Sequence, residues 1–170
     1  TETINYINNI FYVDKGNKNS ELNFQKLQNR FGKRIQKTRY LNSWVETINR
    51  CINRSTSTLC WILNSELDYS EFNFEYYPNI WQIKMVHVFG TQYNHWGTTF
   101  LVNKNTFAVD TKYIKVIEHL SNLNFVKNII AKSISCNYDV YCIDFKNINS
   151  KSNIDKVITN IQKPINIIDY

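Results

Sequence analysis

The 170-residue chain has only two prolines and four glycines. Linkers between domains are usually rich in such residues, so composition alone marks no domain boundary. No apolar stretch approaches the roughly 18 to 20 residues that a membrane-spanning helix requires, and we expect no membrane partner. The sequence also lacks a Walker loop, a G-x-G-x-x-G motif and a Ser/His/Asp order, so it carries no signature of those nucleotide-binding or hydrolytic classes.

The four cysteines show no C-x-x-C spacing, which argues against a structural zinc site. Two of them lie inside apolar, strand-like runs, where cysteine behaves as a small hydrophobic residue. We therefore expect reduced thiols in or near the core, in a reducing compartment, at Cys51, Cys60, Cys136 and Cys142.

The net charge is +6, which allows a nucleic acid, a phosphorylated ligand or an anionic surface as partner. The basic residues are spread along the chain, however, and their densest cluster has no nucleic-acid-binding motif beside it. We interpret that cluster as solvated surface; it consists of Lys33, Arg34, Lys37 and Arg39.

Hydrophobic periodicity predicts an α/β fold with a mainly parallel sheet and flanking helices. The first half of the chain alternates strand and helix, which is typical of right-handed βαβ crossovers. The predicted strands there are Asn9–Asp14, Arg34–Arg39 and Thr58–Leu63, and the helices run from an N-cap at Ser20 to Gly32 and from an N-cap at Ser43 to Arg54. Further strands are predicted at Lys84–Phe89, Thr98–Val102 and Tyr138–Asp144, with helices at Tyr113–Leu120 and Asn124–Lys132.

The chain also resembles itself at a shift of 130 residues. Ile10–Tyr40 aligns with Val140–Tyr170 without a gap, with nine identical pairs and a matching apolar pattern. The alternative is chance similarity in an Asn-rich sequence. We predict one unit over residues 1–137, followed at 138–170 by the opening of a second unit or by a βαβ extension packed on the first.

Polar and acidic residues follow two of the predicted strands. Asp14 ends the first strand, and the segment Asn64–Asp68 follows the apolar run TLCWIL. Ligands of open parallel sheets bind beyond the carboxyl ends of the strands, where oxygen side chains can hold a divalent cation that bridges a diphosphate. The alternative is an ordinary solvated turn.

Several segments in order carry a resemblance to a known family: IFYVD, KRI, CWILNSE, FNFEYYP, VHVF and HWGTTFLVNKNTF. Between Asn9 and Phe107 the chain resembles the GT-A-type, Rossmann-like glycosyltransferase-like domains of large DNA phages and other viruses. The resemblance implies a nucleoside diphosphate-sugar as ligand, a D-x-D triplet with Mn²⁺ or Mg²⁺, and a virion or the host cytoplasm as location.

The triplet in this chain reads Asn64-Ser65-Glu66, so one carboxylate of the family pattern is replaced by an amide. Glu66 would be the main metal ligand, with Asn64 and Asp68 auxiliary. We expect weak or lost transfer, with a glycan or modified DNA as acceptor. The alternative is a non-catalytic structural module of a virion, without cofactor, that contacts other copies of itself or other virion proteins.

The remaining candidates each have a structural alternative. Asp14 and Arg39 would face the nucleotide, although Arg39 also fits an exposed surface position. Trp96, in the loop Asn94–Gly97, is a candidate sugar platform or a packing residue. We interpret His87 as a hydrogen-bonded structural residue, assign no role to His119, and leave the catalytic residues unassigned.

Overall fold

The structure, a computed structural model, describes residues 8–70, 72–90, 99–106, 139–143 and 161–162. The predicted helices Tyr113–Leu120 and Asn124–Lys132 lie outside the described residues. Neither helix of the described part is long and apolar enough to cross a membrane.

The predicted α/β class is confirmed, and most element bounds agree with the prediction to within two residues. The strands are β1 (Asn9–Asp14), β2 (Ile35–Arg39), β3 (Leu59–Asn64), β4 (Val86–Gly90), β5 (Thr99–Asn103), β6 (Asp139–Ile143) and β7 (Ile161–Gln162). The helices are α1 (Ser20–Phe31) and α2 (Trp44–Arg54), and a 3-10 turn follows α1 at Gly32–Arg34.

The helix ends follow the expected capping chemistry, with one exception. The Ser43 hydroxyl accepts a hydrogen bond from the Glu46 backbone N–H, which confirms it as the N-cap of α2. Gly32 ends α1 with a positive φ of 60°, a conformation that glycine adopts at low cost. The predicted Ser20 N-cap is wrong, because Asn19 holds that position and the Ser20 hydroxyl donates to Asp14 instead.

The prediction of a mainly parallel sheet is wrong. The strand order is β2-β1-β3-β5-β4-β6-β7, and β1 is parallel to both β2 and β3. The other four neighbouring pairs are antiparallel. Only residues 91–98 connect β4 to β5, and a parallel crossover needs a dozen residues or more. That short connection forces an antiparallel pair and makes the sheet mixed.

The predicted structural repeat is not supported. At the shift of 130 residues, β6 does correspond to β1, and it joins the same sheet as expected. However, Ile161–Gln162 correspond at this shift to Phe31–Gly32, where α1 ends. They form the strand β7 instead, so a strand lies where the repeat would require the end of a helix. The boundary between 137 and 138 stays a prediction.

The core covers both faces of the central strands. On one face, Tyr12 packs against Phe24 of α1, and Trp61 contacts an aromatic segment that follows β3. Side chains alternate along a strand, so Phe100 points to the opposite face, where it meets Trp44 of α2. Three of the four cysteines expected in or near the core are buried free thiols, namely Cys51, Cys60 and Cys142. Cys136 lies outside the described residues.

We expect Trp61→Ala to lower the free energy of unfolding by about 3 to 5 kcal/mol, because it leaves a large cavity in the core. The Trp61 side chain is 1% exposed and its ring contacts those of Phe72, Phe74 and Phe89. Denaturant unfolding monitored by circular dichroism measures the change. The matched control is Trp81→Ala, since Trp81 is 68% exposed; a control loss as large as that of Trp61→Ala would contradict this account of the core.

Candidate functional site

The candidate site lies at the carboxyl ends of β1 and β3. After β1 the chain moves to β2 on one side, and β3 then pairs with β1 on the other side. A reversal of this kind is a topological switch point, where the loops after the two strands diverge and leave a crevice. Asp14 ends β1 and Asn64 ends β3, so the predicted residues do reach one edge of the sheet.

Ser65 joins the two strand ends beyond the last residues of β1 and β3. Its backbone N–H donates to the Val13 carbonyl at 3.0 Å, and its hydroxyl accepts from the Lys15 N–H at 2.9 Å. The same hydroxyl donates to the Asn17 side chain, while the Ser65 carbonyl accepts from the amides of Asn17 and Asn23. The two strand ends are therefore joined by a hydrogen-bonded junction around Ser65, a residue to which the sequence analysis gave no such role.

Asp14 is ionised and held by its own surroundings. Its Oδ1 accepts from the Gly16 N–H at 2.8 Å and from the Ser20 hydroxyl at 2.7 Å, and Lys37 lies 3.7 Å from Oδ2. Burial opposes ionisation, but these hydrogen bonds and the Lys37 charge outweigh it and lower the pKa of the carboxyl below its usual value. Asp14 thus shapes the turn into α1 and carries a negative charge at the edge.

The two other residues predicted to bind the nucleotide have different outcomes. Arg39 ends β2, is exposed, and is the register partner of Asp14 across the β1–β2 pair. Its position agrees with both alternatives, a phosphate contact or plain surface. Trp96 and the rest of the loop Asn94–Gly97 lie outside the described residues. His119 lies outside them as well.

The three residues predicted to bind a metal lie at the end of β3 and in the loop after it, but they make separate local contacts. Asn64 is fully buried, and its Oδ1 accepts from the Glu66 N–H at 3.0 Å. The Asp68 Oδ1 accepts from the Ser70 N–H at 3.0 Å, a bond that lowers the pKa of this carboxyl. Within the ranges that the structure describes, no group of three or more His, Cys, Asp or Glu side chains is placed to hold a metal ion. The metal site stays a prediction.

Lys15 is a residue of this edge that the sequence reasoning missed. Its ammonium lies 3.1 Å from Glu66 Oε1 and 4.8 Å from the centre of the Tyr40 ring. The centre of the Trp44 ring, at the start of α2, lies 5.5 Å from the same ammonium. The sequence did offer one signal for Lys15, namely its position directly after Asp14 at the end of a buried strand. A partly exposed positive charge therefore lies beside Glu66 at this edge, and an ammonium of this kind can pair with a phosphate.

His87 is buried in a polar cluster on β4, as interpreted from the sequence. Its Nε2 lies 2.8 Å from the Gln82 carbonyl, which can only accept, so Nε2 carries the proton. Nδ1 is then the acceptor nitrogen, and the Tyr76 hydroxyl at 2.9 Å and the Cys142 thiol at 3.1 Å compete for its one lone pair. Burial lowers the pKa of His87 to about 4 and raises that of Cys142 to about 12. All three groups are neutral near pH 7, which suits a structural cluster and not a thiolate nucleophile.

No family model, no curated protein and no solved structure matches the chain.

We expect His87 to make the fold sensitive to mild acid. An unfolded histidine has a pKa near 6.5, above the folded value of about 4, so the unfolded state takes up the proton first as the pH falls. Stability contributed by neutral His87 is therefore present above pH 6.5 and is lost between pH 6.5 and 4. Between pH 7 and pH 5 the loss is about 2 kcal/mol.

The measurement is the free energy of unfolding of the wild type and of His87→Gln at both pH values. At pH 7 the free energy of unfolding should be lower in His87→Gln than in the wild type. Between pH 7 and pH 5, however, the variant should lose about 2 kcal/mol less than the wild type does. Parallel declines in the two proteins would show that His87 does not stay neutral in the fold.

Proposed function

We propose that this chain is a glycosyltransferase-like domain that binds a nucleoside diphosphate-sugar and has weak or lost transfer activity. The observation that carries the proposal is the switch point between β1 and β3, with Asp14, Lys15 and Glu66 around its carboxyl edge. This is where a phosphorylated ligand of an open α/β sheet is expected. The acceptor would be a glycan or modified DNA, in a virion or the host cytoplasm.

The Lys15–Glu66 ion pair suggests how a metal and a diphosphate would enter together. Both side chains are about 30% exposed, at 29% and 31%, so the pair can open at little cost. Mn²⁺ or Mg²⁺ would take the Glu66 carboxylate as its main protein ligand, with Asp68 and Asn64 auxiliary. Lys15, released from Glu66, would then be the nearest cation for the diphosphate.

The same geometry explains why transfer would be weak. Asn64 offers one amide oxygen in place of a charged carboxylate, and that oxygen already accepts from the Glu66 N–H. A metal held by fewer charged oxygens neutralises the departing diphosphate less well, and such charge stabilisation is usually the largest contribution to catalysis.

A second candidate is a non-catalytic structural or interaction module without a cofactor. The observation in its favour is that each candidate oxygen ligand has a partner within the chain. Asp14 is bound by Gly16 and Ser20, Glu66 by Lys15, and Asp68 by Ser70. A site of this kind is stable without ligand, so it does not need one to satisfy its polar groups.

The deciding experiment is calorimetric titration of UDP in the presence of Mn²⁺ into the wild type, Asn64→Asp and Glu66→Ala. We expect weak metal-dependent binding to the wild type, stronger binding to Asn64→Asp because a charged ligand is restored, and a loss in Glu66→Ala. Replacing one charged ligand should change the Mn²⁺ affinity by about tenfold or more. Glu75→Ala, which removes an exposed carboxylate outside the site, is the matched control.

Two outcomes would overturn the metal site. Tight, metal-dependent UDP binding that is unchanged in Asn64→Asp and Glu66→Ala would show that the ligands were assigned wrongly. Absence of binding by all the proteins, including Asn64→Asp, would leave the structural module as the better account.

A further inference from the structure

A cavity of about 240 Å³ lies between α1 and the segment that follows β3. Four of the lining residues come from one face of α1 and four from the loop after the strand. Those that matter here are Lys26, Leu27 and Arg30 from the helix, and Leu67, Asp68 and Ser70 from the loop. Pockets for drug-sized molecules have about 300 to 1,000 Å³, so this cavity suits a smaller ligand.

Two cations line the cavity four residues apart on α1. Lys26 and Arg30 lie on the same helix face, where like charges repel and destabilise the helix. Neither forms a salt bridge with another described residue. Asp68 is the single carboxylate among the lining residues, and its Oδ1 already accepts from the Ser70 N–H. One carboxylate therefore lies beside two cations, and the lining has a net positive charge.

Aromatic rings fix the position of one of these cations. The Arg30 guanidinium carbon is 4.9 Å from the centre of the Phe31 ring and 5.3 Å from that of Phe74. Contact with the two rings restricts the side chain before any ligand arrives, which lowers the entropy lost on binding. The N–H donors of a guanidinium lie in its plane and can still form paired hydrogen bonds with an oxyanion.

The rest of the lining divides into an apolar floor and a polar side. Leu27 and Leu67, from the two sides of the cavity, are 6% and 7% exposed. Opposite the cations are the Asp68 carboxylate and Ser70. A carboxylate accepts hydrogen bonds from hydroxyl groups, whereas an apolar surface accommodates the C–H face of a ring.

We propose that this cavity binds a small sugar phosphate and needs no metal to do so. The phosphate lies between Lys26 and Arg30, the ring covers Leu27 and Leu67, and a ring hydroxyl donates to Asp68. This site shares Asp68 with the proposed metal site but does not include Glu66, the main metal ligand there. It would account for a concave surface that keeps two cations beside a single carboxylate.

The test is calorimetric titration of ribose 5-phosphate into the wild type at 0.1 M salt with EDTA present. We expect saturable binding that is about tenfold or more weaker in Lys26→Gln and in Arg30→Gln, because each variant removes a charged hydrogen bond. Lys33→Gln makes the same change of charge at an exposed residue outside the cavity and should bind as the wild type does.

Ribose and inorganic phosphate, titrated separately, divide the ligand into its two parts. Ribose without phosphate should not bind, and inorganic phosphate should bind less tightly than ribose 5-phosphate. Equal affinities for phosphate and ribose 5-phosphate would overturn the sugar contacts. No saturation in the wild type, or wild-type affinity in Lys26→Gln and Arg30→Gln, would overturn the site itself.

The outcome also separates this site from the proposed metal site. Glu66→Ala should retain binding of ribose 5-phosphate in EDTA while it loses Mn²⁺-dependent binding of UDP. If Glu66→Ala lost both activities, the two sites would be one, and the inference of a separate metal-independent cavity would be wrong.

Discussion

The parallel pairing of β1 with β3 is the constraint on which the rest of the molecule depends. All six residues of β3 are buried, and so are the four central residues of β1. Strands covered on both faces need helices or loops on both sides of the sheet, and α1 and α2 supply that cover. Because the two strands are parallel, their carboxyl ends finish at the same edge, so the loops after Asp14 and Asn64 must meet there. The candidate metal site and the cavity beside α1 both follow from that meeting.

Two loops that meet at a sheet edge leave backbone groups without partners, and side chains of this chain supply those partners. Backbone groups beyond a strand end have no ladder partner, and unpaired buried groups destabilise a fold. The side chains of Asn17, Ser65 and Asn23 pair with such backbone groups here. The side chains that tie the edge together are therefore also those closest to any ligand. A ligand at the switch point has to replace internal hydrogen bonds with bonds of equal or greater strength, which favours a charged ligand and a metal over a neutral one.

The sequence predicted the elements well and the sheet less well, for a physical reason. Apolar runs such as Asn9–Asp14 and capping residues such as Ser43 are local signals, and they determined where strands and helices lie. The direction of β5 depends on a short connection and on which strand it pairs with, and neither is visible in periodicity. At the site, Asp14 and Asn64 were expected at one edge because strand ends are local features. Ser65 and Lys15 were missed because their partners lie about 50 residues away in the chain.

Electrostatics distinguishes the two places where an anion could bind. The Lys15 charge is compensated by Glu66. A phosphate could therefore pair with the Lys15 ammonium only after that ion pair opens or a metal binds the carboxylate. Lys26 and Arg30 have no such pair among the described residues, and Arg30 is already held by Phe31 and Phe74. A prepositioned, uncompensated cation gives up less on binding than a paired one. If both proposals hold, anions should occupy the α1 cavity without a metal ion, whereas binding at the Lys15 edge would need the divalent ion. Metal dependence is then the property that separates the two sites.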